Sequence, residues 1–478
     1  MVAKINFWQP GGVCGIFAEK VDYGRWPLEP LVLLTIAGSD PSGGAGIQQD
    51  LRVFAQLGCH GMAAIAALTI QNTTGVKGFV SVEPQFLREQ VEFLFQDVMP
   101  QVVKTGMLGS VENVEVVAQC LQGRDIPLVV DPVLVATSGD PLFEGAKGAF
   151  LEHLFPLATV VTPNAHEAGA LTDMEVKTLE DMKEAARRLK ARGPQWVLIK
   201  GGDLEGEEVV DLLYGGDGFH HFAHPRVSLS DKSHGTGCAF ASTLAVFLAR
   251  GLDMIQAYRE SLKLVELYLM GAVPLGKGAV PANPLVVGER NRARCRVLDR
   301  LARALEILES LEGGGILVPE VQINLCEAIP LARGHQDVAG IRGRVVRWGE
   351  KMRAVGCPAF GASRHVANIV LAAMRFDPSV RAAMNVKYER EWIPILESSP
   401  LEVASFSRAE EPAEVKEREG STLEWGVNKV CSSFGRVPDI IYDEGDIGKE
   451  PMIRVLGRDA LNVVEKARII LDMVSGVG

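Results

Sequence analysis

A series of continuous apolar runs recurs between residues 31 and 199, each too short for a helix and too uniformly apolar for a strand with one wet face. The runs are Leu31–Ile36, Met62–Ile70, Gln101–Lys104, Leu128–Val130, Thr159–Val161 and Trp196–Ile199. A strand that is apolar on both faces must be covered on both, which is the situation of a parallel sheet between helices. Amphipathic stretches lie between the runs. In Leu179–Ala191, positions 179, 182, 185, 186 and 189 share one face, with Thr178 placed as N-cap and Asp181 at the third helical position. The alternation predicts an α/β fold with a mostly parallel sheet flanked by helices. Ligands of such sheets bind beyond the carboxyl ends of the strands, so chemistry is sought in those loops.

At 478 residues the chain has room for two or three domains. Its net charge of −11 opposes binding to a phosphate backbone, and no nucleic-acid partner is expected. No apolar run is long enough to span a bilayer, so no membrane partner is expected, and the amino terminus lacks the layout of a secretory signal. The cysteines (14, 59, 120, 238, 295, 326, 357 and 431) contain no C-x-x-C pair, which excludes the usual zinc spacings. The cytoplasm is the expected compartment.

Residues 1–30 show no period. Cys14–Phe17 faintly echoes the start of glutamine amidotransferases but lacks their context, so the segment reads as an extension. A first domain is expected over 31–285 and a linker helix over 286–312. Leucines at 298, 301, 305, 308 and 311 give that helix one apolar face, a packing or dimer surface. A second α/β domain is expected over 313–478. There Ser421 opens a helix with Glu424 placed for a capping box, residues 439–442 read as a strand, and the mixed charges of Arg408–Glu419 read as a solvated face. His220, His221 and His224 do not suggest a metal site, because strand alternation turns 220 and 221 to opposite sides.

Four loops carry chemistry. Ala37–Gly46 is glycine-rich and follows a strand, so its backbone can approach a ligand, but it lacks the Lys-Ser/Thr ending of a Walker loop. In Thr162-Pro-Asn-Ala-His-Glu167, Asn164 and Glu167 either orient a hydrated Mg²⁺ or cap a helix. Lys200 ends a strand where it can meet a phosphate. In His234-Gly-Thr-Gly-Cys238, the amides of Gly235, Thr236 and Gly237 converge at a helix start, an anion site at which Cys238 should have a lowered pKa.

In this order the motifs resemble the ribokinase-like superfamily, and most closely hydroxymethylpyrimidine/phosphomethylpyrimidine kinase (ThiD). Ala67–Thr73, Lys104–Leu108 and Val130–Val133 extend the match over roughly residues 31–270. The resemblance implies ATP and Mg²⁺ as cofactors and two successive phosphorylations, of hydroxymethylpyrimidine and of its monophosphate. It implies that Gln71 hydrogen-bonds the pyrimidine, that Gly38, Asp50, Met107 and Val133 line its pocket, and that Cys238 is the base. Asp131, Asn164 and Glu167 would handle Mg²⁺ and phosphates, with Lys200 nearby. Asp203 departs from the family, which often has histidine there.

From about residue 313 the chain resembles ThiN-type thiamine-phosphate synthase, through Gly340–Arg344, Gly356–His365 and Tyr442–Pro451. That resemblance implies a Rossmann-like domain that assembles into a homo-oligomer and joins the pyrimidine diphosphate to hydroxyethylthiazole phosphate. Arg344 is suited to the leaving pyrophosphate, His365 to that group or to the thiazole phosphate, and Asp443, Glu444 and Asp446 to the Mg²⁺ that accompanies pyrophosphate. The alternative is a pyridoxal-type kinase fused to a thiamine-phosphate-sensing module.

Overall fold

The first sheet has the order β3-β2-β1-β4-β5-β6-β7-β8-β9. Its strands are β1 (Val32–Ser39), β2 (His60–Asn72), β3 (Gly75–Ser81), β4 (Val102–Thr105), β5 (Leu128–Val130), β6 (Val160–Val161), β7 (Trp196–Ile199), β8 (Glu208–Gly215) and β9 (Gly218–Pro225). The computed structural model describes residues 30–133, 145–204, 206, 208–216, 218–227, 233–412, 421–446 and 448–475. The Cys14–Phe17 echo therefore lies outside the described residues.

All the apolar runs are strands, and β2, β1, β4, β5, β6 and β7 are mutually parallel. Antiparallel β3, β8 and β9 extend the sheet at its two edges. Leu34 and Ile36 share a core with Leu87 and Val91 of the helix Pro84–Asp97 and with Val114 and Val117 of the helix Val111–Leu121. On β9 the histidines diverge: His221 is exposed, His220 lies 6.4 Å from Trp196 ring to ring, and His224 is 3.7 Å from Asp211. The capping box of Thr178 and Asp181 is formed at the helix Leu179–Lys190.

The chain lays β2 on one side of β1 and then returns to place β4 on the other. The loops leaving β1 and β4 thus diverge, and the crevice between them is where such sheets take ligands. At the base of that crevice lies a fully buried ion pair. Lys104 of β4 donates to both carboxylate oxygens of Asp50, which belongs to the helix Gly46–Gln56, at 2.9 and 3.1 Å. Thr35 of β1 donates to the same carboxylate at 2.7 Å, and Ser242 of the helix Thr236–Ala249 at 2.6 Å.

The described residues divide into two units at Gly288/Glu289. The second unit is α/β as expected, but its sheet is mixed where a Rossmann-like domain would be parallel. Its order is 358–360, 338–341, 325–328, 382–387, 452–457, 440–443, 403–405, and only the last pair is parallel. For the pair 440–443 and 452–457 the connection gives the reason: residues 444–451 are too few to hold the crossover that parallel pairing requires. The helix Val286–Ser310 gives Val297, Leu301, Ala304, Leu305 and Leu308 to this unit's core, so its leucine face packs inside the fold.

The charged stretch from Arg408 is not a solvated face at its start. Arg408 and Glu411 are buried, and Arg408 pairs with Asp443 at 2.5 Å. Residues 413–420 lie outside the described residues. The helix Ser421–Phe434 is present, and Glu424 pairs with Arg375. Removing one partner of a buried ion pair strands the other charge, which costs about 3–5 kcal/mol. Lys104→Met should lower stability by that amount, read from the urea midpoint of the first unit's unfolding transition.

Candidate active sites

A cavity of about 560 Å³ opens at the crevice between the β1 and β4 loops. Gly38, Gln71, Met107 and Val133 line it, and so do Asp131, Asn164, Glu167, Lys200, Gly235, Thr236, Gly237 and Cys238. The structure therefore gathers into one space nearly every residue that the sequence had singled out in this unit. Asp50 is the exception. It does not reach the cavity, because its carboxylate is spent on Lys104, Thr35 and Ser242.

One end of the cavity is built from backbone and cations. The helix Thr236–Ala249 starts from Gly235, whose φ is 70°, and a Cβ there would stand 1.8 Å from the carbonyl oxygen of Gly44. Only glycine permits that approach. Next to it, the Lys200 ammonium lies 3.2 Å from Asp131, which also accepts from Thr162 Oγ1 at 3.0 Å. Burial opposes the charge on Lys200, but Asp131 and then Glu167 outweigh it and raise its pKa. Asn164 and Glu167 form a reciprocal capping box at 2.8 Å each, so the capping role read from their spacing is realised. Burial pushes the Glu167 carboxyl up to about 7; Lys200 counters this, while Asp131 and Asp203 add to it.

The other end is an amide beside a thioether. Gln71 Oε1 accepts from Thr69 Oγ1 at 3.2 Å, and Gln71 Nε2 lies 3.2 Å from His234 Nε2. His234 Nε2 is in turn 3.1 Å from Asp40. Asp40 also accepts from the amides of Ser42, Gly44 and Ala45, and so shapes the glycine loop. Sequence reasoning missed Asp40, His234 and Lys104. The signals were an Asp-Pro-Ser turn opening, a histidine heading the anion loop, and a lysine inside an otherwise apolar strand.

Cys238 corrects an expectation. Its thiol is pushed up to about 11, because burial, helped by the Asp50 and Asp131 carboxylates, outweighs the nearby Lys104 ammonium and a hydrogen bond to the Gly46 backbone. Desolvation disfavours the thiolate more than the helix end favours it.

The second unit has a cavity of about 600 Å³. Arg344 and His365 both line it, together with Arg408, Lys449 and Arg454. Arg344 holds a left-handed backbone (φ 69°) and donates to the Val321 carbonyl. His365 is the first residue of the helix His365–Phe376. Asp443 does not face a metal as expected. It is fully buried between Arg408 and Arg454, the latter at 2.6 Å. Among the described residues no group of three or more His, Cys, Asp or Glu is placed to hold a metal.

The family model of phosphomethylpyrimidine kinase matches residues 40–283, and that of thiamine-phosphate synthase ThiN matches residues 300–469. The bifunctional thiamine biosynthesis protein ThiDN of Methanocaldococcus jannaschii is 32% identical over 444 residues, covering 92% of this chain and 98% of that one. The chain belongs to the ThiDN family. Members join a phosphomethylpyrimidine kinase to a ThiN domain, and this chain is a bifunctional thiamine-biosynthesis enzyme of that type. The regulatory alternative is not favoured. The bifunctional protein ThiED of Geobacter sulfurreducens is 45% identical over 272 residues, which are 56% of this chain and 55% of that protein. Among solved structures, the pyridoxal kinase of Staphylococcus aureus in complex with ADP is similar to the kinase part. It has a TM-score of 0.50 and 32% identity, covering 53% of this chain and 93% of that one. The ribokinase-like fold is thereby shared with pyridoxal kinases. Among the described residues no helix is long and apolar enough to cross a membrane.

The raised Glu167 pKa fixes a sign. An unfolded glutamate titrates near ~4.3, so the folded ThiDN kinase unit favours the protonated acid. This contribution is fully present below that value and is lost as pH rises through about 7. The melting temperature should therefore fall between pH 5 and 8 in nucleotide-free protein, and Glu167→Gln should flatten the fall. Thermal melts across that range provide the check.

Proposed function

We propose that the first unit transfers the γ-phosphoryl group of ATP to the hydroxymethyl oxygen of hydroxymethylpyrimidine, and then to the resulting monophosphate. The observation that carries this reading is a single cavity with an amide reader at one end and an anion cradle at the other. Gln71 offers donor and acceptor together, which suits a ring nitrogen beside an amino group. Gly38, Met107 and Val133 give that ring apolar walls. Lys200 and the amides of Gly235, Thr236 and Gly237 receive phosphate oxygens, where fixed positive charge is worth most. ATP supplies the phosphoryl group when bound.

Asp131 and Glu167, with Asn164 alongside, fit a Mg²⁺ that keeps several waters and takes its remaining ligands from nucleotide phosphates. Two carboxylates beside one lysine, one of them pushed up to about 7 by burial, suit a cation that arrives with the nucleotide. Cys238 keeps its proton at neutral pH, so its first task is to orient the acceptor hydroxyl by hydrogen bonding. A loose phosphoryl-transfer transition state needs alignment more than a strong base.

We assign the kinase to residues 31–285 and the synthase to the part that follows, with the helix over 286–312 counted with the synthase core. In the second unit, Arg344 and His365 converge on one cavity, where they offer a bidentate cation and a hydrogen-bond donor to departing pyrophosphate. The thiazole nitrogen attacks the methylene carbon of the pyrimidine as the bond from that carbon to the pyrophosphate oxygen breaks. Thiamine phosphate and pyrophosphate are the products. The cytoplasm is the compartment we assign.

Cys238→Ala should reduce kinase kcat by about 10²-fold with KM for the pyrimidine little changed. Cys238→Ser, which keeps a hydrogen-bonding group, should recover part of that loss. Faster turnover of pyridoxal than of hydroxymethylpyrimidine would reject the substrate assignment. For the synthase, full-length protein is supplied with the pyrimidine diphosphate and hydroxyethylthiazole phosphate. Thiamine phosphate should form, and Arg344→Ala and His365→Ala should each lower its rate at least ~10-fold. Equal rates in all three proteins would discard these two residues.

A further inference from the structure

The synthase cavity has two tiers of positive charge. Arg344, His365 and Lys449 are exposed and form the rim. Below them, Arg408 and Arg454 line the same cavity but are 9% and 2% exposed. A buried cation is costly unless paired, and here two guanidinium groups share one carboxylate. Arg408 Nε meets Asp443 Oδ1 at 2.5 Å, and Arg454 Nη2 meets Oδ2 at 2.6 Å. Among the described residues one carboxylate lines the cavity, Glu450, and it bonds neither guanidinium, accepting instead from the amides of Glu320 and Val321 at 2.8 and 3.1 Å. The floor thus carries one positive charge more than its carboxylate neutralises, in a place largely closed to water. Burial lowers the pKa of Arg454, against the pull of Asp443, which is the mark of a cation short of counter-charge.

We propose that the Arg408–Asp443–Arg454 floor is a monoanion-sized phosphate subsite that holds the phosphate of the thiazole substrate, distinct from the rim that takes the leaving pyrophosphate. The inference rests on the synthase reading above and adds a division of labour to it. Asp443 is a positioning residue: bonding both guanidinium groups, and accepting from the Gly445 amide at 2.9 Å, it fixes their planes. A phosphate that stays attached through the reaction belongs on a rigid, dehydrated floor, where its binding anchors the thiazole ring. Pyrophosphate must leave, and the exposed rim lets it exchange with solvent. Two phosphorylated substrates require two such places, and the cavity provides both.

The test is steady-state synthase kinetics on full-length protein with each substrate varied in turn, for wild type, Arg454→Met and Asp443→Asn. Arg454→Met should raise KM for hydroxyethylthiazole phosphate by about 10- to 100-fold, the scale of losing a hydrogen bond to a charged group. KM for the pyrimidine diphosphate should stay within about 3-fold. Inorganic phosphate should compete with the thiazole phosphate in wild type and lose that competition in the variant. The opposite pattern, a rise confined to the pyrimidine diphosphate, would overturn the assignment. Where a variant does not fold, wild type alone decides: phosphate competing only against the pyrimidine diphosphate overturns the proposal, and competition against the thiazole phosphate supports it. If wild type makes no thiamine phosphate, the synthase reading falls. Calorimetric binding of inorganic phosphate, present in wild type and absent in Arg454→Met, would still support the subsite, and its absence from wild type would remove it.

Discussion

The kinase unit is organised around a charge that has no access to water. Lys104 and Asp50 come from a central strand and from the helix that follows the glycine-rich loop, and each is fully buried. Neither could be there without the other, since an unpaired ion in such a place neutralises itself or unfolds its surroundings. Thr35 and Ser242 complete the carboxylate's bonds, so two strands and two helices meet on one group. The loops that leave these same elements form the walls of the catalytic cavity. The ion pair therefore sets the spacing of Gly38, Met107 and Cys238, and Lys104 itself lines the same cavity. Burial works against the charge of Lys104, but Asp50, with Cys238 and Asp131, more than offsets it and holds the ammonium protonated.

How much of this was legible in the sequence follows from how local each signal is. Buried parallel strands announce themselves as unbroken apolar runs, and β5 and β7 match their expected bounds residue for residue. Caps are equally local: Thr178 with Asp181, and Asn164 with Glu167, are visible at a spacing of three. The antiparallel edges were not visible in the same way, since half-exposed strands such as β3 interleave polar and apolar residues. Burial was the main thing hidden. Asp50 sits fifteen residues from Thr35 and far along the chain from Lys104 and Ser242, so its withdrawal from the cavity wall could not be read. Cys238 shows the same limit, because a helix start lowers a thiol pKa and a dry cavity raises it, and only the fold says which wins.

In the second unit the motif residues were easier to find than the architecture. Arg344 and His365 lie twenty-one positions apart and converge on one cavity. Yet the sheet that brings them together is mixed, and 440–443 returns to 452–457 by a short antiparallel connection. Arg408 was misread for a related reason. A mixed run of charges is solvated in most proteins, but here its first member faces inward to a carboxylate on a neighbouring strand.

The contact between Gly235 and Gly44 joins the anion cradle to the substrate loop with no slack, and no side chain larger than hydrogen fits at Gly235. His234 and Asp40 add a second tie between the same two segments. Neither segment can shift outward by itself without breaking its packing on the other. The two ends of the cavity therefore behave as one jaw. On the proposed reading, a poorly fitting ring at Gln71 would be transmitted as a displaced phosphate cradle, and near-miss substrates would be rejected by slow turnover as much as by weak binding.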